Sequence, residues 1–193
     1  MRTAEVTRKT KETDIEVKLS IDGKGIADIN TGIGFFDHML TALSVHSGID
    51  MSVRVKGDLN VDGHHTVEDT GIALGTAFAQ AMVDKKGIAR YGSAYIPMDE
   101  SLGFSSLDIS GRPFLVFDCM FTNQMIGELD SCLIIEFFRA FAFNAGITLH
   151  IGVPYGSNDH HKAEAVFKAV AHALKAAVKT DGDSVLSTKG VIA

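Results

Sequence analysis

The sequence predicts an α+β fold made of two copies of one unit, each a four-stranded sheet with two helices on one face. Three observations predict it. An uncommon phrase, His-His-x-x-Glu, occurs twice, as His64-His65-Thr66-Val67-Glu68 and His160-His161-Lys162-Ala163-Glu164. The stretches before it are alike: His38 to Ile49 overlays Glu136 to Ile147, with Ala42 on Ala140, Gly48 on Gly146 and Ile49 on Ile147. The offset is 98 residues from His38 to Glu136 and 96 from His64 to His160, close to half of a 193-residue chain. Two copies are too few for a solenoid, so the halves are expected to pack on each other. We divide them at residues 1–88 and 89–193, together forming one domain.

The elements follow in order. Residues 2–9 and 14–21 alternate polar and apolar, with Ile15, Val17, Leu19 and Ile21 on one face, as half-buried strands do. Asp22-Gly23-Lys24-Gly25 reads as a hairpin turn and residues 26–30 as the return strand. Apolar residues at helical spacing predict helices over 35–47 and 66–84, with an alternating strand over 50–56 between them. The second half repeats this. Strands are expected at 91–98, 102–109, 114–117 and 148–154, and helices at 131–144 and 161–178. Gly48 and Gly146 each end a helix. The stretch from Thr180 to Ser184 reads as a flexible tail.

Composition narrows the function classes. Apolar residues make up 46%, enough for a sizeable core, and with no Trp the twelve Phe supply its aromatic bulk. A net charge of −6 without a Lys/Arg cluster argues against a nucleic-acid partner. No apolar run reaches the roughly 18 residues that span a bilayer. The N-terminus starts a charged alternating stretch rather than a signal peptide, so a cytoplasmic location is expected, with Cys119 and Cys132 as free thiols.

The repeated phrase carries the chemistry. Imidazole and carboxylate together ligate borderline-to-hard divalent cations. On a helix the Glu lies three and four residues after the two His, so both can share its face. Adjacent His diverge by about 100°, which suits two ions better than one. A single phrase reads as well as polar residues at a helix N-terminus; two in register, each with a matched Glu, favour metal. His38 opens the preceding helix beside Asp37, which could orient it or cap the helix. The overlay puts Glu136 in the place of His38. Arg90 and Arg112 each sit beside a Gly-containing turn, and taken alone each is an ordinary surface Arg.

Together these phrases resemble the imidazoleglycerol-phosphate dehydratase family over essentially the whole chain. The resemblance rests on Arg8 to Thr13, Thr31 to Leu40, Asp62 to Asp69, Arg90-Tyr91-Gly92, Ser110 to Pro113, His160 to Glu164 and Ser187 to Gly190. It implies a hydro-lyase of histidine biosynthesis that converts D-erythro-imidazole glycerol phosphate to imidazole acetol phosphate. It further implies two Mn²⁺ ions per site, held by His38, His64, His65, Glu68, Glu136, His160, His161 and Glu164. Where this chain has Glu136, many members have His, and Cys132 and Ile135 stand where many have acidic residues. Glu12 is the implied proton carrier. Arg90, Arg112, Ser187 and Lys189 are the implied phosphate ligands, and His38 and His46 line the substrate. The implied fold is a duplicated unit like the second domain of ribosomal protein S5, assembled into a shell of 24 subunits with sites between neighbours. Two rivals use the same ligands: a binuclear hydrolase of a phosphorylated small molecule, and a metal-storage or structural-metal protein.

Overall fold

The computed structural model describes residues 1–180 and 182–192. The chain runs β1 (Thr3–Lys9), β2 (Thr13–Ser20), β3 (Ala27–Asn30), α1 (Gly34–Ser47), β4 (Asp50–Gly57) and α2 (His64–Ala81). It then repeats the pattern with β5 (Tyr91–Met98), β6 (Ser101–Asp108), β7 (Phe114–Asp118), a short hairpin of β8 (Met125–Ile126) and β9 (Leu129–Asp130), α3 (Leu133–Ala145), β10 (Thr148–Tyr155) and α4 (Asp159–Ala177). The two large sheets have the orders β1-β2-β4-β3 and β5-β6-β10-β7. In each, the first three strands pair antiparallel and the last joins parallel. The duplication read in the sequence is therefore also a duplication of topology.

One expectation fails. The Asp22–Gly25 turn does not return the chain beside β2; β3 lies parallel to β4 at the far edge, with Ile29 opposite Val53. Asp50 explains the crossing. Its Oδ1 accepts from Lys24 N (2.7 Å) and Ile26 N (2.8 Å), and Met51 N donates to Ile26 O (2.9 Å). These bonds draw residues 24–26 across the start of β4 and leave the edge of β2 to β4.

The four helices lie between the two sheets. α2 packs on β1 and β2, α4 on β5 and β6, and the halves meet through α2 with α3 and α1 with α4. Phenylalanines fill the seam: Phe36, Phe78, Phe137, Phe138 and Phe167 are fully buried. Phe36 meets Phe137 edge-on with centroids 5.3 Å apart, and Phe138 lies 4.7 Å from Phe167. Each such ring contributes roughly 2–3 kcal/mol through burial. α2 and α3 approach closely because Gly71 and Gly75 lack side chains: a Cβ at either would lie 2.6 Å from a carbonyl oxygen, of Phe137 and Phe141 respectively.

Asp181, within the stretch read as a flexible tail, lies outside the described residues. Its surroundings are tied down: Thr180 bridges Ile88, and Gly87 N donates to Ser184 O (3.0 Å). Among the described residues no helix is long and apolar enough to cross a membrane.

Candidate metal centre

The two helix pairs run side by side with their N-termini at one end of the molecule. Asp62 Oδ1 accepts from His64 N (2.7 Å) at the start of α2, and Asn158 Oδ1 accepts from His160 N (2.9 Å) at the start of α4. These caps satisfy amides that a helix start leaves unpaired. They also fix the turn on which each His pair stands. Asp37 neither orients His38 nor caps α1; its Oδ1 accepts from Thr31 N (2.8 Å) and Thr31 Oγ1 (2.6 Å), fastening the loop before the helix.

At the α1/α4 seam, His38, His160 and Glu164 bring one ligand atom each within 4.8 Å of one another. His160 Nε2 is 3.3 Å from Glu164 Oε2 and His38 Nε2 is 3.6 Å from it. Burial tends to raise the pKa of Glu164, but Lys168, 2.6 Å away, and the neighbouring His38 and His160 outweigh it and hold the carboxyl below its ordinary value. The result is an ionised carboxylate flanked by two imidazoles, a donor set that fits a divalent cation.

The α2/α3 seam holds the related set in a more open form. His64 Nε2 lies 3.3 Å from Glu68 Oε2. Glu136 is on the first turn of α3, the position His38 takes on α1, but its carboxylate pairs with Arg139. Among the described residues, only the α1/α4 triad groups three ligand atoms this tightly.

The second His of each pair turns away from the first, as the helix geometry requires. The ring planes of His64 and His65 stand 85° apart, and those of His160 and His161 stand 80° apart. Each outer His is held through Nδ1: His65 by Asp58 Oδ2 (3.0 Å) and His161 by Glu100 Oε2 (2.7 Å). A carboxylate on Nδ1 leaves Nε2 to ligate and raises its basicity. Those hydrogen bonds raise the pKa of both imidazoles. The bond from His161, followed by the Asn158 amide, holds Glu100 far below the usual carboxylate range. Beyond Nε2 lies a second acid in each case: Glu12 Oε1 at 3.7 Å from His65 and Asp99 Oδ2 at 3.7 Å from His161.

Arg90, Arg112, Ser187 and Lys189 line one cavity of about 690 Å³. Arg90 is already engaged, with a fork on Asp108 (2.7 and 3.1 Å) and a bond to Leu186 O (2.6 Å). Arg112 is the more exposed of the two. This cavity lies at the far end of α4 from the metal ligands, since Arg90 N donates to Ala177 O (2.9 Å). From His160 to Ala177 the helix runs about 25 Å at ~1.5 Å per residue, farther than a sugar-sized phosphate ester can reach. His46 faces His172 with centroids 5.5 Å apart, two turns from His38, and its pKa is lowered by burial and by Lys168.

Several neighbours were not read from the sequence. Asp58, Asp99 and Glu100 lie in turns, and only the fold brings them to the His pairs. Lys168 was legible, four residues after Glu164 on one helix face.

Two stacked α+β halves, with a His/carboxylate cluster that can hold a divalent cation and a separate cavity lined by Arg90, Arg112 and Lys189, define a scaffold suited to a metal-assisted lyase or hydrolase. The comparisons decide between them. The family profile described as imidazoleglycerol-phosphate dehydratase matches residues 31–174. An imidazoleglycerol-phosphate dehydratase of Ruminiclostridium cellulolyticum is 58% identical, over 100% of both chains. The crystal structure of the Staphylococcus aureus imidazoleglycerol-phosphate dehydratase superposes with a TM-score of 0.85 at 40% identity, over 93% of this chain and 99% of that one. That of IGPD from Pyrococcus furiosus, in complex with (S)-C348, gives 0.84 at 38%, over 96% and 99%. The chain belongs to the imidazoleglycerol-phosphate dehydratase family, which are hydro-lyases of histidine biosynthesis.

Proposed function

We propose that this chain eliminates water from D-erythro-imidazole glycerol phosphate, giving imidazole acetol phosphate, with two Mn²⁺ ions per active site and with each site completed by neighbouring copies. The observation that carries the proposal is the His38–His160–Glu164 triad, ready to take a cation at the α1/α4 seam. Its counterpart is His64, Glu68 and Glu136, with Glu136 released from Arg139 to ligate. The outer imidazoles, His65 and His161, have Nδ1 bonded to Asp58 and Glu100, which leaves Nε2 for a cation of a site shared with a neighbouring copy. Eight ligands over two ions gives four each and leaves positions open on octahedral ions. When bound, the cations act as Lewis acids and as a template for the imidazole ring.

The chain's own residues supply the rest. Glu12 carries the proton, with its carboxylate beside His65 and largely in solvent. Arg112, Lys189 and Ser187, with Arg90 anchored on Asp108 behind them, receive the phosphate. The helix-length gap between that cavity and the triad on one chain requires a second copy to bring phosphate ligands to metal. A closed homo-oligomer of 24 subunits in the cytoplasm meets this requirement, each subunit one catalytic domain divided at residues 88 and 89. His46 lines the substrate from α1.

The test strips the protein with chelator and supplies imidazole glycerol phosphate with and without Mn²⁺. Mn²⁺-dependent ketone formation with no free phosphate is the expected result. Phosphate release would replace the dehydratase by the hydrolase, and stoichiometric metal without turnover would leave only a structural-metal role.

A further inference from the structure

Arg8 and Thr13, in the phrase from Arg8 to Thr13, and Asp69, at the end of the phrase from Asp62, have no role in the scheme above. The fold brings all three together. Asp69 follows Glu68 on α2 and is buried. Its Oδ2 accepts from Thr13 Oγ1 (2.5 Å) and from Arg8 Nη1 (2.5 Å). Arg8 lies near the end of β1 and Thr13 opens β2. One carboxylate on the metal-bearing helix therefore grips both arms of the hairpin whose tip is Glu12.

The tip itself is tightly bonded. Thr10 N donates to Thr13 O (2.8 Å), and Glu12 N and Thr13 N both donate to Thr10 Oγ1 (3.0 Å each). The Glu12 carboxylate takes no part in this network; it lies 3.7 Å from His65 Nε2. The backbone of Glu12 is fixed while its acid stays free, as a proton carrier requires.

The other half provides the contrast. The residue after Glu164 is Ala165, which cannot grip anything. There the β5–β6 hairpin sits directly on α4, where a Cβ on Gly103 would lie 2.9 Å from that of Ala165. Of its two tip acids, Glu100 is consumed by Ser157 N (3.1 Å), Asn158 N (2.7 Å) and His161 Nδ1 (2.7 Å), while Asp99 Oδ2 lies 3.7 Å from His161 Nε2. One half fastens its hairpin with a tip acid, Glu100; the other fastens it with a buried acid on the helix, Asp69, and leaves Glu12 out of the bonding.

We infer that Asp69 and Thr13 are positioning residues that hold the Glu12 carboxylate beside His65, at the place proton transfer needs. The inference rests on the reading of Glu12 as the proton carrier. Thr13→Val removes the hydroxyl's bonds to Asp69 (2.5 Å) and to Thr10 Oγ1 (3.3 Å) with little change of volume, while Thr13→Ser keeps the hydroxyl. In the Mn²⁺-loaded assembly, Thr13→Val is expected to lower kcat by about 10- to 100-fold, as a displacement on the order of 1 Å does. KM and Mn²⁺ content stay within about twofold of wild type, and Thr13→Ser recovers most of the turnover. Asp69→Asn, which removes the charge and keeps the shape, is expected to show the same kcat-selective loss if it folds; the Thr13 pair decides if it does not. Equal losses in the Val and Ser variants, or a loss that tracks Mn²⁺ content or assembly, would overturn the inference. Glu12→Gln is measured beside them. Full activity in that variant removes the premise, whereas an inactive Glu12→Gln with wild-type kcat in Thr13→Val overturns the positioning role alone.

Discussion

The α1/α4 seam and the α2/α3 seam come from one duplicated unit, yet they are prepared for a cation to different degrees. At α1/α4 an imidazole, His38, joins His160 and Glu164, and the three ligand atoms already sit together. At α2/α3 the corresponding side chain is the carboxylate Glu136, which turns back along its own helix to Arg139. The hairpins are fastened differently, the first by the buried Asp69 on α2 and the second by its own tip residue Glu100. Duplication supplies two equivalent frames, and single substitutions then divide them, giving one side a closed binding set and the other a carboxylate paired away from it.

The largest expected effect falls on the free acid. Glu12→Gln is expected to lower kcat by about 10²- to 10⁴-fold, the usual worth of a general acid–base, while retaining Mn²⁺; metal analysis beside steady-state kinetics checks both. Retained turnover would remove the functional difference between the hairpins. Next comes metal removal. Because the ligands come from distant segments and the proposed sites are shared between copies, chelation is expected to loosen the assembly. Sedimentation before and after chelator reads this directly, and unchanged species would mean that apolar contacts alone hold the copies.

Protons compete with the metal at the outer imidazoles. Asp58 and Glu100 raise the pKa of His65 and His161. A raised folded-state value means that the protonated form contributes stability below the ordinary value of ~6.5 and that this contribution is lost as pH rises through the shifted value. Metal binding needs the proton gone, so the linkage runs the other way for the ion. Mn²⁺ affinity is expected to be weaker at about pH 6 than at about pH 8, measured by titration of the stripped protein. Equal affinities would put the outer imidazoles outside the metal shell.

The smallest effect concerns Arg139. Its pair with Glu136 is partly exposed, and such pairs are worth about 0–1 kcal/mol. Arg139→Gln is therefore expected to tighten Mn²⁺ at the α2/α3 site by no more than about fivefold, leaving the α1/α4 site unchanged. Weaker binding would make Arg139 a support for Glu136 rather than a competitor.

Much of this was legible in the residues. The repeated His-His-x-x-Glu phrase and the overlay of His38 on Glu136 gave the two frames, because helical period and ligand spacing are local properties. Helix ends were read within two or three residues, with Gly48 and Gly146 as left-handed stops. The crossing of β3 was not legible, since it depends on Asp50, about 25 residues downstream, accepting the turn's amides. The β8–β9 hairpin has two residues per strand, too few for alternation to register. Asp69 stood inside a quoted phrase, but its grip on Arg8 and Thr13 exists only once β1, β2 and α2 are packed.

The most direct test of two unequal cation sites from one duplicated unit is a Mn²⁺ titration of the stripped protein, with bound metal and ketone formation followed together. Two ions per chain are expected, filling in two distinguishable steps, with turnover rising as the second site fills. A single ion per chain with full turnover, or two identical steps, would contradict it.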